Sequence, residues 1–442
     1  MLEWLDSHIN LEATAGKITG LSLDHMRDLA KLLGDPQRNY PAVHITGTNG
    51  KGSTAYLLTR LLAEHGLKVG TYASPHVSSI HERISINTEP IGDADLLGLL
   101  KTLRLTEEHW MEEGGERFSW FELVTAAAFM WFMDEAVDVA VVEVGKLGRY
   151  DATNILDAEL AVVTNVAEDH TDGSEGWREA IAWEKAGIIG PQSTLVLGQG
   201  AGDPSLSEIF AAENPKTTWR LGEHAQVESN ELAVGGRLLD ISTPKARYSD
   251  VFLSLNGEHQ GENAALALLV AEIFFDAPVA EEIVEDAFSE ATLPARLEAA
   301  GREPLVIFDG AHNPHGVAAV TRAVRDDFSV AGEVVLVVGM TEGHNHQRSL
   351  GKLLEVIEEQ EEHLEISTQL ICCTAPSPRG IAAEELAAFA RQVGYEPVVI
   401  SDAGEALRHG VNLAGSEGLV FVTGSLYVAG AARQEYKKMV AR

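Results

Sequence analysis

The sequence predicts two α/β units: a first with a mostly parallel sheet and a small antiparallel appendage, and a smaller, Rossmann-like α/β second. Three observations lead there. Short apolar, β-branched runs alternate with amphipathic helical stretches, the pattern of parallel strands covered on both faces by crossover helices. At 442 residues the chain exceeds what one hydrophobic core usually supports. The alternation also lapses over about 217–255 and restarts near Leu293-Pro294-Ala295-Arg296, which sets the expected units at 1–293 and 294–442.

In chain order, strands are expected at 42–46, 68–72, 137–144, 160–165 and 194–197, with helices near 53–65, 92–111, 119–133 and 176–188. The stretch 123–144 is the most apolar, yet Asp134, Glu135 and Asp138 interrupt it. It divides into a helix, a turn and a buried strand, not a membrane span. Pieces at 218–221, 226–228 and 251–255 are short and separated by turn residues, so they are assigned to the antiparallel appendage; a helix follows over 261–275. In the second unit, strands at 305–308, 333–338, 370–373, 397–400 and 418–423 alternate with helices.

Composition narrows the function. A formal net charge of −34 argues against nucleic acid or an anionic membrane as partner, since both need basic surface. It leaves room for a small anion held by a local cluster of cations. The only cysteines, Cys372 and Cys373, are adjacent in an expected strand and read as buried, reduced thiols. The opening residues show no basic region followed by an apolar core, so no signal peptide is expected and the protein is read as cytoplasmic.

The chemistry begins at residues 44–54, His-Ile-Thr-Gly-Thr-Asn-Gly-Lys-Gly-Ser-Thr, directly after the first expected strand. Gly47, Gly50 and Gly52 let the backbone around Thr48 and Asn49 turn sharply and bring N–H groups onto an anion. Lys51 supplies a positive charge for the β- and γ-phosphates, and the Ser53 or Thr54 hydroxyl can reach Mg²⁺. The following helix aims the positive end of its dipole at the same place. The first unit therefore reads as a P-loop ATPase domain with ATP and Mg²⁺ as ligands. The spacing differs from GxxxxGK[ST], because an extra glycine separates Lys51 from Ser53.

Other candidates fall at the C-terminal ends of the strands, where open α/β sheets bind their ligands. Ser74 is either a hydroxyl for metal or phosphate or part of a Ser-Pro turn. Glu143 closes an apolar strand opposite the loop, either as a hard oxygen ligand for Mg²⁺ or as a turn-capping carboxylate. His170 is a second metal ligand or an ordinary loop histidine. Lys185 sits on a helix among apolar neighbours. Held away from solvent it can add CO₂ as a carbamate, although the residues alone favour a salt-bridged lysine.

With these stand YASPH at 72–76, ERISIN at 82–87, EVGxxGRxDATN at 143–154, DHT at 169–171, EKAGI at 184–188 and HQxxNAA at 259–265. Further on come ARLE at 295–298, DGAHNP at 309–314, TAPSPR at 374–379 and TGSLYVAGAAR at 423–433. In this order, nearly end to end, the chain resembles the folylpolyglutamate synthase/dihydrofolate synthase family of the Mur ligase superfamily. The resemblance implies a Mur-ligase-type ATP-binding domain followed by a glutamate-ligase domain. It implies an ATP-dependent amide ligase that joins L-glutamate to a folate or pteroate carboxylate through an acyl phosphate, expected here as a monomer. By the family pattern Ser53, Ser74, Glu143 and His170 would hold metal, and Lys185 would be carbamylated. The loop from Thr48 to Thr54, with Asn263, Arg296, Asp309 and His312, would contact nucleotide, so catalysis would need the cleft between the units to close.

Three departures from the pattern stand out. Gly145-Lys146-Leu147-Gly148-Arg149 replaces Gly-Leu-Gly-Gly-Arg, Asp172-Gly173-Ser174-Glu175-Gly176-Trp177 follows DHT, and Gly343-His344-Asn345-His346-Gln347-Arg348 stands in place of Asp-Lys-Asp. The two histidines there read as a polar loop. The alternatives are a related ligase acting on another acid or amino acid, a catalytically silent ATP-binding regulator, and a simple P-loop kinase or NTPase.

Overall fold

The computed structural model describes residues 1–10, 22–169, 174–328, 332–343, 345–364 and 368–441. His170 and His344 lie outside the described residues.

The first sheet contains β1 (Ala42–Thr46), β2 (Val69–Tyr72), β3 (Ile84–Ile86), β4 (Glu89–Pro90), β5 (Val139–Glu143), β6 (Leu160–Val163), β7 (Thr194–Leu197) and β8 (Thr217–Arg220). Their order is β4-β3-β2-β5-β1-β6-β7-β8. β3 pairs antiparallel with both β2 and β4; the other neighbours pair in parallel. β1 and β5 lie at the centre and are buried at every residue, which is why Ala-Val-His-Ile-Thr and Val-Ala-Val-Val-Glu carry no alternation. The helix Lys51–Glu64 covers one face through Leu57, Leu58 and Leu61. The helix Trp120–Asp134, opened by a Ser119/Glu122 capping box, covers the other through Phe129 and Phe132.

The appendage is an antiparallel sheet of β9 (Gln226–Ala233), β10 (Gly236–Ser242) and β11 (Arg247–Leu253), with β10 in the middle. Leu239, Ile241 and Tyr248 share a core with the helix Glu258–Phe275, which is buried between this sheet and the helix Lys51–Glu64. That sandwiching explains a helix with apolar residues almost all round. One expectation is corrected here. The 218–221 piece is not part of the appendage: Thr217–Arg220 pairs in parallel with β7, from Thr194↔Thr217 to Leu197↔Arg220, and ends the main sheet. A four-residue edge strand has too little pattern of its own to declare its partner.

The second unit has β12 (Glu298–Arg302), β13 (Leu305–Phe308), β14 (Val334–Val338), β15 (Thr368–Cys372), β16 (Val398–Val399) and β17 (Leu419–Thr423). They are ordered β12-β13-β17-β14-β15-β16, parallel except for the β12–β13 hairpin. Cys372 and Cys373 are buried free thiols, both pushed up to about 12 by burial. Among the described residues no helix is long and apolar enough to cross a membrane.

Among the contacts between the units, two involve the helix Pro314–Asp327. Arg237 of β10 pairs with Asp327, the last residue of the helix Pro314–Asp327, at 2.8 Å, and the Gly257 N–H donates to the same carboxylate at 2.7 Å. The first turn of that helix meets the loop after β1.

Candidate active site

The loop after β1 is shaped from two directions. Gly50 has φ +82°, and a Cβ there would fall 2.4 Å from Asn263 Oδ1; at Gly47 it would fall 1.8 Å from Thr164 Oγ1. Asn165, just beyond β6, accepts from the Thr48 and Asn49 N–H groups at 3.1 and 2.9 Å. Thr164 Oγ1 donates to the Asn49 carbonyl at 2.6 Å, and Thr48 Oγ1 donates to the Ala167 carbonyl at 3.1 Å. The loop thus rests on the end of β6. Lys51 Nζ donates to the Gly47 and Thr48 carbonyls at 3.2 and 3.4 Å, which holds the ammonium over the loop.

Gly52 has a different use from the one expected. A Cβ there would stand 3.3 Å from Glu143 Oε2, so its bareness makes room for that carboxylate beside the loop. Glu143 is buried at the C-terminal end of β5, and its Oε2 accepts from the Ser74 N–H at 3.1 Å. Burial raises its pKa, while Lys51, the Ser74 N–H, Arg296 and Arg83 pull the other way. Ser74, whose N–H reaches Glu143, and Ser53 and Thr54, which follow Gly52, are buried, and the hydroxyls of Thr54 and Ser74 have no hydrogen-bond partner among the described residues. A buried carboxylate bonded to the backbone of Ser74, whose hydroxyl is unsatisfied, is a donor set that suits a hard divalent cation. Among the described residues no three His, Cys, Asp or Glu side chains gather closely enough to hold a metal by themselves.

The second unit faces the same loop. Asn313 caps the helix Pro314–Asp327 by accepting from the Gly316 N–H at 2.8 Å, and exchanges amide contacts with Asn49 at 2.9 and 3.3 Å. His315 Nδ1 lies 3.2 Å from Asn49 Nδ2. Asp309, at the end of β13, accepts from the Leu297 and Ala311 N–H groups at 2.9 and 2.7 Å. Burial raises its pKa and Arg296 opposes the rise. His312 Nδ1 is 2.9 Å from the Gly310 carbonyl, and its Nε2 is 4.0 Å from Asp169 Oδ2. Asn263, against Gly50, donates to Gln260 at 3.0 Å. Lys185 is buried on the helix Trp177–Ala186, and its pKa is lowered to about 7 by burial and then by Lys51, with Asp169 and Glu184 opposing.

The structure therefore brings Lys51, Glu143, Ser74, Asn263 and the loop together from the first unit, with Arg296 of the second unit acting on both Glu143 and Asp309 and with His312 reaching Asp169. Sequence reasoning missed Thr164, Asn165 and Asn313 as shapers of the site. Asn313 did carry a signal, since Asn followed by Pro opens a helix.

Residues 45–271 match the Mur ligase middle domain, and residues 295–426 match the Mur ligase glutamate ligase domain. The chain is 35% identical to the dihydrofolate synthase/folylpolyglutamate synthase of Mycobacterium tuberculosis, over 93% of this chain and 89% of the relative. It belongs to the folylpolyglutamate synthase/dihydrofolate synthase family of Mur ligases. The solved structure of the Mycobacterium tuberculosis folylpolyglutamate synthase complexed with ADP and AMPPCP superposes with a TM-score of 0.87 at 32% identity, covering 98% of this chain and 96% of that one. A bifunctional folylpolyglutamate synthase/dihydrofolate synthase with Mn, AMPPNP and L-glutamate bound gives a TM-score of 0.82 at 26% identity, covering 99% and 97%.

Two departures from the family pattern meet at the line between the units. Lys146 lies just past β5, and Asn345 and Arg348 of the second unit reach Glu168 of the first at 3.2 and 2.5 Å. The third, at 172–177, lies partly outside the described residues.

Proposed function

We propose that this chain uses ATP to join L-glutamate to the carboxylate of a folate or dihydropteroate through an acyl phosphate. What carries the reading is the reciprocal Asn49–Asn313 contact, which brings the phosphate loop of one unit against the first turn of a helix in the other. The relative with Mn, AMPPNP and L-glutamate bound supports the same set of reactants.

Direct condensation fails at neutral pH because the acid is a carboxylate and the amine an ammonium. Transfer of the γ-phosphoryl to the carboxylate releases ADP and leaves an acyl phosphate. The neutral amine of glutamate then attacks the acyl carbon, the C–O bond to phosphate breaks, and the amide forms with loss of the ammonium protons to solvent. In this scheme the N–H groups of Thr48 to Thr54 cradle the phosphates and the Lys51 ammonium neutralises charge on the β- and γ-oxygens. Asn263, Arg296, Asp309 and His312 hold the nucleotide from the far side of the loop. Ser53, Ser74, Glu143 and His170 would hold Mg²⁺, which when bound neutralises charge on the transferring phosphoryl. Lys185, buried and close to neutral, is suited to carry a carbamate.

We take the unit boundary at 293/294 and assign a cytoplasmic monomer. The changes at Lys146 and at 343–348 favour one second reading, a ligase of the same chemistry with a different acid. A screen of carboxylate acceptors with ATP and labelled glutamate, read by ADP release and product mass, decides between them. Release that needs both a pterin acid and glutamate supports the first reading, dependence on another acid supports the second, and release without any acceptor refutes both.

A further inference from the structure

The helix Leu426–Val440, the last of the second unit, carries a buried glycine in its interior, Gly430, where alanine would suit a helix better. The reason for the glycine lies in the first unit. A Cβ at Gly430 would fall 2.1 Å from the Val77 carbonyl oxygen and 3.3 Å from Val77 Cγ1. The Val77 side chain packs against the second unit's core, which includes Phe308, Val422 and Val428. Among the described residues it is the one apolar side chain of the first unit in that cluster.

Val77 belongs to the loop after β2, residues 73–83, which is braced along its length. The Glu82 carboxylate accepts from the Val77, Ser78 and Ser79 N–H groups at 2.8, 3.1 and 3.1 Å. The Ala73 N–H donates to the Arg83 carbonyl at 2.9 Å, which closes the loop at its base. Buried Arg83 donates from Nε to His76 Nδ1 at 2.9 Å, and its guanidinium lies 4.8 Å from the centre of the Trp120 ring. Near the base of this loop the Ser74 N–H holds Glu143 Oε2 at 3.1 Å. A loop cross-tied in this way shifts as one piece, so a displacement at Val77 reaches Ser74 instead of being absorbed between them.

We infer that Gly430 is a positioning residue for the divalent-cation donors Ser74 and Glu143. Its bare α-carbon seats the Val77 carbonyl, and the braced loop carries that seat back to Ser74. The inference rests on the reading of Ser74 and Glu143 as metal donors given above, and it names the residue of the second unit on which their placement depends. The link is steric and needs no charge. An added methyl group at Gly430 meets a backbone oxygen, which has no rotamer into which to turn away, so helix and loop must part.

Calorimetric titration of a nonhydrolysable ATP analogue, with and without Mn²⁺, into the parent protein, Gly430→Ala, Val77→Ala and Gly351→Ala tests this without turnover. The metal should tighten the analogue about tenfold or more in the parent. In Gly430→Ala that gain should fall to about threefold or less, while affinity without metal stays within about threefold of the parent's. A merely unstable protein would lose both. Val77→Ala adds no bulk and removes only the side-chain anchor, so it should lose part of the gain. Gly351→Ala should keep all of it, since its new Cβ, on the helix His346–Leu364, has nothing within 4 Å. A full gain in Gly430→Ala overturns the inference; should that variant fail to fold by circular dichroism, a full gain in Val77→Ala overturns it. No gain in the parent refutes the metal reading itself and takes the inference with it.

Discussion

Replacing Arg237 with Met should destabilise the protein by about 3–5 kcal/mol, the usual cost of breaking a buried ion pair from one side. The Arg237 and Asp327 side chains are 9% and 3% exposed, and their nearest atoms are 2.8 Å apart. At an effective dielectric constant of about 20 that separation corresponds to about 6 kcal/mol of attraction, offset in part by the cost of drying both charges. Arg237 also donates to the side chain and backbone carbonyls of Asn230 at 2.8 and 2.7 Å. Its loss leaves one Asp327 oxygen without its partner, while the other keeps the Gly257 N–H. The double variant Arg237→Met/Asp327→Leu should recover most of the stability, because neither charge remains buried alone. Urea unfolding followed by tryptophan fluorescence measures the parent protein, Arg237→Met, Asp327→Leu and the double variant. A loss below about 1 kcal/mol in the single variant, or a double variant worse than the sum of the two singles, would refute the reasoning.

Three further outcomes are expected. Lys51→Ala should lower kcat about 100-fold or more in an ADP-release assay with little change in unfolding midpoint, since among the described residues its ammonium donates only to carbonyls of its own loop. His44, buried in β1 with Nε2 2.8 Å from Thr153 Oγ1, has its pKa lowered from 6.5 to about 3 by burial. The folded state therefore resists its protonation: this contribution is whole above pH 6.5, declines as pH falls towards 3, and amounts to about 2 kcal/mol lost by pH 5. His44→Gln should show a correspondingly smaller loss between pH 7 and pH 5 in urea titrations, and an identical pH slope would count against it. Lys185, lowered to about 7, becomes neutral and carbamate-competent as pH rises through that value, so carbon-13 bicarbonate should give a carbamate resonance at pH 8 that Lys185→Arg lacks.

Much of this architecture was legible because the central strands are continuous apolar runs with sharp polar limits. The ranges 42–46, 194–197 and 305–308 appear as strands with those same bounds. The strands that escaped notice lie where local pattern is weak. The β10 alternation is broken by a register shift between Leu239 and Ile241, and the short β3, β4 and β12 take their pairing from neighbours, while β8, expected as a strand at 218–221 of the appendage, joins the main sheet instead, since four edge residues do not declare a partner. The site divides in a similar way. Lys51 and its glycines announce themselves because loop chemistry is written in consecutive residues. Asn165 and Asn313 act through contacts with a loop more than 100 positions earlier in the chain, and no local spacing encodes such a meeting.

The helix Pro314–Asp327 is anchored unequally at its two ends. Its tail is riveted to the appendage by a sealed charge pair, whereas its head meets the phosphate loop through the Asn313 amide and the His315 ring. Prising the head away sacrifices about 1 kcal/mol per amide contact, well within what binding one substrate supplies, while the tail resists several times more. Packed into the second unit's core through Val317, Val320 and Val324, the helix moves with that unit, so the contact at its head yields before the one at its tail.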